Sequence, residues 1–141
     1  MRLSWGRRWF WYLVNSVLLV SGLVWLVADQ LKAGEDGETW QRVSSSTLMV
    51  HGGTAMIALL VIGSLLDVHI VRAWRSGRNI GTGVLMLALN GGLIGTAFGL
   101  YYSGSDVARG WISAAHIALG LGLPLFVVVH IWRGRASRSG S

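Results

Sequence analysis

The sequence predicts an all-α integral-membrane four-helix bundle with both termini on the cytoplasmic side. Three observations predict it. Only 13% of the 141 residues are charged, about half the usual share for a water-soluble domain. The apolar residues gather into four long runs, with the charges confined to short islands between them. Of the twelve basic residues, nine fall in alternate islands, on what would be one side of a membrane.

A helix rises about 1.5 Å per residue, so about 20 apolar residues cross the hydrocarbon core. Four segments meet that length: Trp9–Ala28, Thr47–Ala73, Gly81–Tyr102 and Val107–Trp132. Continuous runs of this kind cross lipid as helices, because a helix satisfies its backbone hydrogen bonds internally. The first run follows Arg7 and Arg8 in the manner of a signal peptide. It is longer than a typical signal core and no A-x-A site follows it, so an uncleaved helix is expected. The outer connection between the first two spans is expected to be the loop 29–46. The whole chain reads as one transmembrane domain, residues 1–141.

Orientation comes from Lys and Arg. Arg2, Arg7 and Arg8 precede the first span, Arg72, Arg75 and Arg78 join the second to the third, and Arg133, Arg135 and Arg138 follow the fourth. The opposite side carries Lys32, Arg42 and Arg109 beside Asp29, Glu35, Asp36, Glu38 and Asp106. The positive-inside rule puts the nine-Arg side in the cytoplasm. The net charge of +6 is therefore a topology signal, and no nucleic-acid partner is implied. Trp5, Trp9, Trp11, Trp74 and Trp132 fall at the inner surface, and Trp40, Tyr101, Tyr102 and Trp111 at the outer one, as interfacial aromatic belts. There is no Cys, which excludes disulfides, thiolate metal sites, iron–sulfur clusters and C-x-x-C-H haem attachment.

All four histidines lie inside spans, where an ionisable residue is costly and usually functional. His51 and His69 are 18 residues apart on the second span. That is about five full turns, so they share a face about 27 Å apart along the axis. His116 and His130, 14 apart on the fourth span, fall about 40° short of four turns and share a face about 21 Å apart. The second and fourth spans run in the same direction. His51 is then level with His116 near the outer surface, and His69 with His130 near the inner one.

Two imidazole pairs, without Cys and without a carboxylate cluster, suit bis-histidine ligation of b-type haem: two haems b stacked across the bilayer. Ala55, Ala58, Ile62 and Leu65 on the second span, and Gly120, Leu123 and Val127 on the fourth, would line the slots. Gly91-x-x-x-Gly95-x-x-x-Gly99 on the third span forms a small-residue stripe. Gly95, Gly99 and Gly120 allow close approach of a helix or a flat porphyrin. Arg42 and Arg109 outside, and Arg72, Arg75 and Arg133 inside, are candidate propionate partners. The same features have plainer readings: interhelical hydrogen bonds for the His residues, helix packing for the glycines, topology for the arginines.

On these residues the sequence resembles the four-helix di-haem membrane cytochromes b. These include the haem bundle of bc complexes, the cytochrome b subunits of bacterial dehydrogenases and reductases, and the stand-alone bacterial cytochromes b. The resemblance covers residues 9–132. His116 and His130 match the H-x13-H spacing of the bc-type bundle, whereas His51 and His69 are H-x17-H, a spacing more like a haem-ligand helix of the nitrate reductase membrane subunit. The resemblance implies outer ligation by His51 and His116, inner ligation by His69 and His130, and electron transfer across the membrane, commonly to or from a quinone.

The leading expectation is a transmembrane electron carrier between a quinone pool and a partner redox protein. The partner would be a periplasmic cytochrome c or catalytic subunit, or a larger respiratory or photosynthetic complex docked at the outer connection. The chain would then be a subunit and not a complete enzyme alone. Asp67 inside, and Tyr101, Tyr102, Asp106 and Trp111 outside, are the candidate quinone-site groups; Asn90 reads as an interhelical hydrogen bonder. A second expectation is a self-contained cytochrome b that oxidises a small species such as superoxide and reduces quinone. A third is a haem-free membrane protein whose histidines bind protons or a metal.

Overall fold

The computed structural model describes residues 5–65 and 80–139, with side chains through Arg133. The described residues form four helices: α1 Trp5–Leu31, α2 Gly37–Leu65, α3 Ile80–Tyr102 and α4 Asp106–Ser139. Each is long and apolar enough to cross a membrane. The helices form two compact units, an α1–α2 hairpin and an α3–α4 hairpin.

In the first hairpin, α1 ends where the Lys32 and Gly34 amides bond back to the Ala28 and Leu31 carbonyls at 3.1 and 3.0 Å. A five-residue turn follows. It closes tightly at Gly37, where a Cβ would lie 2.6 Å from the Lys32 carbonyl oxygen, so no larger residue fits without moving backbone. The expected outer loop 29–46 is thereby shortened to residues 32–36. Residues 37–46 are too polar to register as a membrane run, yet they form the first turns of α2. Their helix is supported by the Trp40 amide on the Asp36 carbonyl at 3.2 Å and by an Arg42–Glu38 ion pair at 2.6 Å, four residues apart on one face. Of the four acidic groups expected to form a docking loop, Asp29 is paired with Lys32 and Glu38 with Arg42.

A seam of small residues spaced by seven holds the hairpin. Val14, Ser21 and Ala28 are buried along α1, and Ser44 and Ala58 along α2. Ser21 touches His51, which sets an antiparallel register placing Val14 opposite Ala58 and Ala28 opposite Ser44. Seven-residue spacing is that of a coiled-coil seam, in which the same edge of each helix keeps meeting its partner.

The second hairpin repeats the design. Ser105 caps α4, its hydroxyl accepting the Ala108 amide at 3.3 Å. Thr82, Leu89 and Thr96 follow one another at sevens along α3, opposite His130, Leu123 and His116 on α4; Leu89 is buried at the centre. Beside this line Gly92 lies under Leu119, and Gly99 under Ile112. Pro124 inside α4 has no N–H, so the Gly120 carbonyl loses its helical donor.

Elsewhere the large apolar side chains point outward. Met49 is 78% exposed, Leu60 75%, Trp111 77% and Leu125 66%. Side chains of this size and number at the surface need a non-aqueous neighbour, which a bilayer supplies. A fold whose buried positions are mostly small and whose exposed apolar ones are large suits lipid, where close backbone approach is what associates helices.

Candidate functional site

The described histidines sit in the two seams. His51 Nδ1 lies 2.9 Å from Ser21 Oγ across the α1–α2 seam. His116 Nδ1 lies 2.8 Å from Thr96 Oγ1, and His130 Nδ1 3.0 Å from Thr82 Oγ1, both across the α3–α4 seam. In each case the histidine is half-buried, stands on the second helix of its hairpin and meets a hydroxyl on the first.

The hydroxyls allow the hydrogens to be assigned. Ser21 Oγ lies 2.6 Å from the Val17 carbonyl oxygen and 3.2 Å from that of Leu18. Thr96 Oγ1 lies 2.7 Å from the Gly92 carbonyl and 3.1 Å from that of Leu93. Two oxygens that close need a hydrogen between them, and only the hydroxyl has one to give. Each hydroxyl therefore donates to its own helix and accepts from the imidazole. With the hydroxyls oriented this way, Nδ1 of His51 and of His116 is the donor, and Nε2 lies on the opposite side of the ring.

Small residues make room for the rings. A Cβ on Gly22 would stand 3.5 Å from His51 Cε1, in ordinary contact with the imidazole. The glycine stripe of α3 divides between two environments. Gly99 is closed by Ile112, whereas Gly91 and Gly95 have no described side chain within 4 Å of a Cβ. Gly120 meets only Leu93, at 3.9 Å. Ala58 and Gly120, expected to line haem slots, thus lie at the seams with α1 and α3.

The remaining expected site residues are distributed as follows. His69, Asp67 and Arg72, together with Arg75, lie outside the described residues. Tyr101 and Tyr102 are exposed at the end of α3, the Tyr102 ring 4.4 Å from that of Phe98. Arg109 is exposed in the first turns of α4. Arg42, a candidate propionate partner, is engaged by Glu38. Asn90 bonds the Met86 carbonyl of its own helix at 2.8 Å, the contact expected to be interhelical. Among the described residues no three His, Asp or Glu side chains converge.

Ser21, Thr82 and Thr96 escaped the sequence reading, although a signal for two of them was present. Thr82 and Thr96 are 14 apart, as are His116 and His130, and equal spacings on adjoining antiparallel helices bring both pairs into register together. No protein-family model, curated protein or solved structure matches the chain.

Proposed function

We propose that the chain is a di-haem membrane cytochrome b that carries electrons across a bacterial inner membrane between a quinone pool and a partner redox protein. Its N and C termini face the cytoplasm, His51 and His116 hold the outer haem, and His69 and His130 hold the inner one. The observation that carries this reading is the placement of His116 and His130. Both stand on one edge of a single membrane-length helix, about 21 Å apart along it, and each ring is held through Nδ1 by a hydroxyl of α3. Two anchored imidazoles at two depths of one span are costly to keep in lipid unless they serve something at both depths.

The donor set fits the group. Low-spin haem iron takes one imidazole nitrogen on each face of the porphyrin, and the Nδ1–H tautomer of His51 and His116 presents Nε2 for that bond. When bound, haem supplies one-electron chemistry by cycling between ferric and ferrous iron. The protein's part is to hold the imidazoles at fixed depth, to exclude water with apolar spans and to place basic groups near the propionates. Arg109 on the outer side and Arg72 on the inner side are the candidates for the last task. A quinone would exchange its protons with carboxylate or phenol groups at a membrane surface, where Asp67, Tyr101 and Tyr102 stand in the sequence.

A reduced-minus-oxidised visible spectrum of the purified chain, with haem quantified against protein, tests the reading. Two low-spin b haems per chain, reducible by a quinol, are expected. A folded preparation without haem overturns it.

A further inference from the structure

We propose that Ser21 and Thr96, and by the same register Thr82, are positioning residues that hold His51, His116 and His130 in the Nδ1–H form and so direct Nε2 to iron. The inference rests on the haem reading for its consequence, though its geometry stands without it. Three seam positions place a hydroxyl opposite an imidazole, at 2.9, 2.8 and 3.0 Å, in two hairpins. Ser21 and Thr96 are already satisfied by carbonyls one turn back in their own helices. Each hydroxyl is thereby oriented by its own helix to accept, and the ring that donates to it is held in that orientation. Without the hydroxyl the ring is released to the other tautomer, or to a rotation that points Nε2 elsewhere.

The hydroxyl also tunes what it holds. An acceptor on Nδ1–H pushes electron density onto Nε2 and makes it a stronger ligand, and loss of such an outer partner typically costs about 10- to 100-fold in affinity or activity. A hydroxyl that is itself donating to a carbonyl is a better acceptor than an isolated one. A more basic ligand favours ferric over ferrous iron, so removing the acceptor shifts the balance towards ferrous.

The full chain purified in mild detergent, with Thr96→Val, Thr96→Ser and Ser21→Ala, decides the matter. Valine keeps the branched shape of threonine and removes the acceptor; serine keeps the acceptor. In haem-loaded protein, Thr96→Val is expected to lower the ferric preference about tenfold, a rise of about 59 mV in midpoint potential for one electron. The affected haem is the one that His116→Ala removes, and Thr96→Ser restores its potential. An unchanged potential in Thr96→Val at full haem occupancy overturns the proposal. If the chain purifies without haem, the haem reading has failed, and nitrogen NMR of 15N-histidine-labelled protein then decides the positioning role alone. Protonated Nδ1 in the parent, with mixed tautomers in Thr96→Val, supports it; rings protonated at Nε2 in the parent overturn it. Should Thr96→Val fail to fold, Ser21→Ala is read in the same way at His51.

Discussion

The α3–α4 seam makes a prediction that separates packing from helix propensity. Four glycines of α3 divide into two pairs. A Cβ on Gly92 would lie 3.0 Å from Leu119 Cδ1, and one on Gly99 3.2 Å from Ile112 Cδ1 and 3.4 Å from its Cγ2. On Gly91 and Gly95 it would meet no described side chain within 4 Å. Each Gly→Ala change favours the helix itself by about 0.8–1.0 kcal/mol, so G92A/G99A and G91A/G95A gain equally on that account. Only the first pair overpacks the seam, which costs about 1–3 kcal/mol per site. Leu119 can swing the end of a flexible side chain away from a single contact, so Gly92 belongs near about 1 kcal/mol. Ile112 is β-branched, stiff at χ1, and presents several atoms, so Gly99 belongs nearer 2 kcal/mol. The two double variants should therefore differ by about 3 kcal/mol, with G92A/G99A the less stable. Unfolding of the purified chain by increasing SDS in mixed micelles, followed by circular dichroism, measures the difference. Equal destabilisation of the two variants would refute the seam as described.

The histidine pairing predicts that His51→Ala or His116→Ala removes the outer haem and keeps the inner one in part, with the reverse for His69→Ala or His130→Ala. Haem-to-protein ratio and the two potentials read this out, and full occupancy of both haems in any of the four variants would break the assignment. The α1–α2 turn predicts that Gly37→Ala destabilises the first hairpin by about 1–3 kcal/mol, because its Cβ would lie 2.6 Å from a backbone oxygen that cannot swing aside. Alanine at Gly34, where the nearest atom is 3.4 Å away, is the matched control, and the same SDS titration compares them.

The four spans were legible in the amino-acid order because bilayer thickness sets a minimum apolar length and lipid leaves the backbone no option but the helix. Two of the expected span ends fall within one residue of observed helix ends: Tyr102 of α3 and Val107 of α4. The start of α2 was not legible. Residues 37–46 carry Glu38, Gln41, Arg42 and three serines, so they fail a hydropathy criterion while retaining helical hydrogen bonding and a helical ion pair. Hydropathy reports where the hydrocarbon is, and a helix continues past it into the interface. The far end of that same span, Leu66–Ala73, lies outside the described residues.

The sharing of faces was also determined by the chain alone. A rotation of about 100° per residue is enough to put His116 and His130 on one edge of a helix. What that edge meets is a different kind of fact. Periodicity is a property of one helix, whereas contact depends on the register between two, and register is set by which small side chains let the backbones approach. Only the tertiary structure therefore decided that His51 turns to Ser21 and His116 to Thr96, that Gly92 and Gly99 are filled while no described side chain reaches Gly91 or Gly95, and which imidazole nitrogen faces a hydroxyl. The proposed tautomer rests on a hydroxyl hydrogen committed to a carbonyl one turn away, a relation that exists only once both helices are in place.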